Sequence, residues 1–96
     1  MTIRLMVVRL GGGNGRVVRF KGRFAWTLAH LSEAGSRGVT PIEYRAPRWS
    51  HYVYILRREG IDIETVRERH GGPYAGCHGR YVLRSPIEVL ERSDAA

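Results

Sequence analysis

The residues best equipped for chemistry in this chain lie between Arg48 and Arg80. Arg48, Ser50, His51, Tyr54, Arg57 and Arg58 fall within one candidate helix at 47–59, and Arg67, Arg69 and Arg80 follow on candidate strands. A guanidinium fork matches a phosphate or the edge of a guanine with two parallel hydrogen bonds, and hydroxyl and imidazole groups both donate and accept. That set suits recognition of a polyanion better than bond making. His70, Cys77 and His78 raise the question of metal, but structural zinc needs four ligands, commonly in close pairs. Here one cysteine adjoins one histidine, and a further ligand would have to come from a distance, for instance from His51. Cys77 with His70 as a nucleophile pair lacks an orienting carboxylate and an oxyanion hole. No paired carboxylates are spaced for acid–base catalysis. The expectation is therefore no metal, no cofactor and no enzyme.

The helix that would carry these groups is amphipathic. With Trp49 at zero and about 100° per residue, Val53 lies at about 40°, Leu56 at about 340° and Tyr52 at about 300°, forming the buried side. Ser50, His51, Tyr54 and Arg58 spread between about 100° and about 200°, facing away, with Arg48 and Arg57 flanking them. Ile55 sits at the edge of that outer face, at about 240°. Pro47 opens this helix and Gly60 stops it.

The rest of the chain supplies the frame. Ile3 to Leu10 and Arg16 to Phe20 are rich in β-branched and long apolar residues, and the glycine-rich turn between them predicts a β-hairpin. A phosphate-cradling reading of that turn lacks the following Lys-Ser/Thr and the following helix. A first helix is predicted from Arg23 to Ala34, stopped by Gly35, with Phe24, Leu28 and Leu31 on one core stripe. Trp26 lies off that stripe and needs cover, which the hairpin could supply. Val39 can make one short strand pairing, Thr40 can cap, and Pro41 can open a helix of barely more than one turn around Ile42 and Tyr44. Ile61–Arg69 and Tyr81–Leu83 read as two strands joined by a long glycine-rich loop, 70–79, with Arg67, Arg69, His70, His78 and Arg80 at its base. After Pro86 an acidic tail holds Glu88, Glu91 and Asp94, then frays.

Composition points the same way. Sixteen basic residues, fifteen of them arginine, against nine acidic ones give 96 residues a formal charge of +7. A small, strongly basic domain most often meets a polyanion. One cysteine excludes an internal disulfide and fits a reducing cytoplasm, and no stretch has the length or apolarity of a membrane span or leader.

The order of helix, tight turn, short helix, helix and two looped strands is the plan of a winged helix-turn-helix. Arg48-Trp49-Ser50-His51-Tyr52-Val53, Leu56 through Thr65, His70-Gly71-Gly72-Pro73-Tyr74 and Arg80-Tyr81-Val82-Leu83 resemble the small winged-helix domain proteins of bacteria and their phages. The resemblance covers about Lys21 to Arg84 and implies DNA binding in transcriptional or phage-related regulation. The sequence departs from that plan in its very short second helix and its glycine-rich N-terminal extension. The expected fold is α+β: three helices and a two-stranded wing at 22–85, an added hairpin at 1–21 and an acidic tail at 86–96. Arg48, Ser50, His51 and Tyr54 are expected at base edges, and Arg57, Arg58, Arg67, Arg69 and Arg80 on phosphates, with the wing at 67–80. Two alternatives come with this reading. One is a protein partner held by Trp26, Tyr54 and Tyr74 as exposed anchors, with a homodimer as a further possible assembly, and the other is structured RNA.

Overall fold

The structure, a computed structural model, describes residues 3–11, 15–40, 48–71 and 76–94. Strands β1 (Ile3–Leu10) and β2 (Val17–Lys21) form the expected N-terminal hairpin. Helix α1 (Arg23–Ala34) has its expected bounds and ends at Gly35, after which 35–37 make a 3-10 turn. Helix α2 (Trp49–Arg58) follows, then the antiparallel pair β3 (Ile63–His70) and β4 (Gly76–Leu83), and finally β5 (Ile87–Asp94). Among the described residues there are thus two α-helices. The short helix expected around Ile42 and Tyr44 lies outside them.

The C-terminal segment expected as a tail is instead a strand. β5 pairs antiparallel with β1, so the hairpin grows into a three-stranded sheet of order β2-β1-β5. Polar residues mask this strand in the sequence because only its inward positions contact the core: Ile87 packs there, and Arg92 turns toward α1 to meet Glu33 at 2.5 Å. The wing is corrected as well. Its strands run to His70 and Gly76, with Arg67 opposite Gly79 and Arg69 opposite Cys77, so the connection is 71–75 rather than 70–79.

Helix α1 is the centre of the core. Its buried residues, Ala25, Thr27, Leu28, Ala29 and Leu31, span a wide arc because it packs both on the hairpin and on α2. Met6, Val8 and Phe20 are buried on the side of the sheet that meets it. A register shift between Ile3 and Leu5 brings Ile3 into phase with Met6, so both reach this face despite their odd spacing. The aromatic residues tie the layers together. Trp26 is half-buried between the ring of Trp49 on α2, at 5.3 Å between centroids, and that of His30, at 4.5 Å, and Ile3 and Arg4 of the hairpin line the hollow beside it. Trp49 in turn stacks on Tyr81 of β4 at 6.2 Å and 14°.

One glycine is fixed by this arrangement. Val39 forms the expected bridge to Tyr81, with reciprocal N–H to carbonyl bonds of 2.9 and 2.8 Å. The preceding Gly38 has φ of 71°, and a Cβ there would lie 2.7 Å from the Tyr81 carbonyl and 2.8 Å from Val82 Cγ2. Only glycine combines that backbone with that approach.

Candidate functional site

Helix α2 is positioned by its buried stripe. Trp49, Val53 and Leu56 are buried, as its periodicity predicts, and Tyr52 is half-buried with its ring edge-on to Phe24 at 5.6 Å. Ile55, at the margin, faces a hollow lined by Val18, Phe20 and Phe24, which accounts for an apolar residue there. At the helix's far end Arg16 reaches back from the hairpin to the Glu59 carbonyl, and its guanidinium lies 3.6 Å from the Glu59 carboxylate.

The opposite face of α2 is open. Ser50, Tyr54 and Arg58 recur every four residues and are all exposed, Tyr54 at 56%. The Arg58 guanidinium lies over the Tyr54 ring at 5.8 Å, which orders both side chains without using up their hydrogen-bonding groups. Arg48 is exposed at the start of the helix and is the sole non-glycine residue with positive φ among the described residues, at 69°. Its carbonyl accepts from His51 and Tyr52 at 3.0 and 3.1 Å, opening the helix. His51 departs from expectation. It is half-buried with its ring 6.4 Å from Phe24, so it leans toward α1.

Arg57 also behaves differently from a free phosphate anchor. Its Nε and Nη2 donate to the Ile63 carbonyl at 3.0 and 2.6 Å, and Nη2 also donates to Thr65 Oγ1 at 2.8 Å. This bond set fastens the end of α2 to the start of β3. It also defines which face of the wing looks toward α2. Alternation along a strand puts Thr65, Arg67 and Arg69 on one face, and Arg57 meets that face at Thr65. Arg67 and Arg69 are exposed and carry no ion pair among the described residues. They continue from the end of α2 out along the wing.

Arg80 is on the other face. Its Nε lies 2.5 Å from Glu68 Oε2, its Nη2 3.2 Å from Oε1, and its Nη1 donates to the Arg37 carbonyl at 3.0 Å. With its side chain only 22% exposed, Arg80 clamps the wing to the turn after α1. The sequence could have signalled this through Glu68, which pairs two positions off Arg80 once the register is known. Cross-strand Arg84 and Glu64, at 2.8 Å, hold the base of the same pair of strands.

Of the anchors proposed for a protein partner, Trp26 is half-buried against the tilted ring of Trp49, and Tyr74 lies outside the described residues. Tyr54 stands exposed. His70, Cys77 and His78 are described by their backbones only, and among the described residues no group of three metal-ligating side chains could hold an ion. No described helix is long and apolar enough to cross a membrane.

No curated protein and no solved structure matches the chain. A family model described as a winged helix domain matches residues 17–93, from the start of β2 to within one residue of the end of β5. That span takes in α1, α2, the β3–β4 pair and the strand that closes the sheet, and on it the chain belongs to the winged helix domain family.

Proposed function

We propose that the protein binds duplex DNA in a sequence-dependent way, in transcriptional or phage-related regulation, with α2 in the major groove and the wing on the backbone. Winged helix domains generally bind nucleic acid. The observation that carries the finer reading is the continuity of the open surface. Ser50, Tyr54 and Arg58 on α2 lead past Arg57 to Arg67 and Arg69 on the facing side of β3, and Arg48 stands at the near end. An exposed helix face with hydroxyl and guanidinium groups can read base edges, and arginines that have no ion pair among the described residues, Arg67 and Arg69, can hold phosphates.

The test is binding to random duplex DNA and RNA pools across a salt series. Neutralising four to six phosphates gives a slope of log K on log salt of about −4 to −5. Tyr54→Ala or Ser50→Ala is expected to lose about 1–3 kcal/mol on the selected site and much less on random DNA. Preference for structured RNA, or affinity that does not respond to salt, would overturn this reading.

A further inference from the structure

The outer face of the three-stranded sheet has no partner among the described elements. Helix α1 packs on the side of Met6, Val8 and Phe20, which leaves the alternate residues of β1 pointing the other way. The cross-strand row through Val7 reads Arg19–Val7–Glu91, and its neighbour reads Lys21–Leu5–Ser93. Leu5 and Val7 are only half-buried, and Arg19, Lys21 and Glu91 are exposed. This face therefore has a short apolar midline, a basic flank on β2 and an acidic flank on β5. Arg19, Lys21 and Glu91 have no ion-pair partner among the described residues, whereas the other acid on this face of β5, Glu88, already holds Arg9 at 2.8 Å.

We propose that this face is an interface for a second copy of the chain, related by a two-fold axis parallel to the strands. Rotation about that axis lays β1 on β1 of the partner and sets β2 of each copy over β5 of the other. Leu5 and Val7 then meet their own counterparts, and so does Arg9 at the end of the midline, its charge balanced by Glu88 of its own copy. Residues of one row stay level, so Arg19 of each copy faces Glu91 of its partner, and symmetry makes the pair twice. Packed sheets stand about 10 Å apart, a gap that an arginine and a glutamate span together. The charges reject the other simple arrangements. A two-fold axis across the strands would oppose the basic β2 to itself, and pairing β5 edge to edge would oppose Glu88 and Glu91 to the same acids. The interface is small, so the dimer is weak and depends on salt. This proposal stands apart from nucleic-acid binding and is tested on the protein alone.

Sedimentation equilibrium between about 0.1 M and about 1 M salt, over which the Debye length falls from about 10 Å to about 3 Å, should show a monomer–dimer equilibrium that weakens with salt. R19E places like charges opposite each other twice, and so does E91R. Each variant alone should raise the dimer dissociation constant by about tenfold or more. An equimolar mixture of R19E and E91R should recover a dimer, because every facing pair is then opposite in charge. Both positions are exposed, and circular dichroism of each variant checks that it is folded. A wild-type protein that is monomeric throughout overturns the proposal. So does a dimer indifferent to both substitutions, and so does a mixture no tighter than either variant by itself.

Discussion

The arginines of α2 and the wing divide into two groups, although nothing in their residue type separates them. At the junction of α2, the turn after α1 and the base of the wing, Arg57 and Arg80 are bound internally to backbone carbonyls, Thr65 and Glu68. A few residues farther along, Arg67 and Arg69 extend from the strand with no carboxylate opposite, since the register sets Gly79 and Cys77 across from them. What an arginine does here is decided by the acceptors in reach. Where two elements meet and leave carbonyls and a carboxylate facing one cation, the cation becomes a fastener. Where the register sets no carboxylate across the ladder, the cation has no ion pair among the described residues.

The comparison can be broken most severely at the junction. Gly38→Ala must resolve both a positive φ and a 2.7 Å approach to the Tyr81 carbonyl. It is expected to cost about 3 kcal/mol, seen as an early unfolding midpoint in urea. Arg80→Met should come next, losing about 1–2 kcal/mol because the Glu68 carboxylate and the Arg37 carbonyl lose a shared donor. Any fall in DNA affinity from this variant should vanish once the folded fraction is corrected for.

Arg67→Ala sharpens the contrast. Stability should stay within about 0.5 kcal/mol, as for an exposed side chain, while the salt slope of DNA binding shrinks by about one unit. Equal stability losses at Arg67 and Arg80 would erase the distinction between the two groups. Arg48→Gly separates backbone from side chain at the other end of the surface. Relief of about 1 kcal/mol of left-handed strain is offset in part by glycine's larger unfolded-state entropy, so stability should not fall, while DNA affinity does.

The smallest effect is expected from His30, which lies outside both groups. Burial lowers its pKa from 6.5, and Arg92 acts in the same direction against the opposing Glu33. The folded state thus takes up its proton later than the unfolded state as pH falls. The stability this contributes is present above about pH 6.5 and is lost as pH falls through the folded value, by less than about 1 kcal/mol for a half-exposed ring. Thermal melts from pH 7.5 downward should lose part of their slope in His30→Gln.

Much of the frame was legible in the residues. The α1 boundaries, the hairpin and the buried stripe of α2 follow from local periodicity and from glycine stops, which act within a few positions. What escaped depends on residues far apart. β5 carries Glu88, Glu91, Arg92 and Asp94 and reads as solvated chain until β1 supplies its ladder. The strand character of Gly76 to Arg80 is hidden by glycines that count as loop formers locally but pair in register with Arg67 to His70. For the candidate surface, the outward positions of Ser50, Tyr54 and Arg58 could be read from the helical period. The inward lean of His51, the left-handed Arg48 and the engagement of Arg57 and Arg80 required knowing how α1 and the wing approach α2.

The pairing of β1 with β5 also shapes how the protein comes into being. Ile3 lies opposite Asp94, so the middle strand of the sheet is made first and one of its two neighbours is made last. During synthesis β1 and β2 exist as a two-stranded hairpin, a form of marginal stability in water, until the rest of the domain has emerged. The β3–β4 pair closes over a few residues, whereas β1–β5 must close a loop that contains both helices and the wing, and such long-range closure slows folding. The helix and wing are therefore expected to order ahead of the sheet that supports them, with docking of β5 as the late step that completes the core.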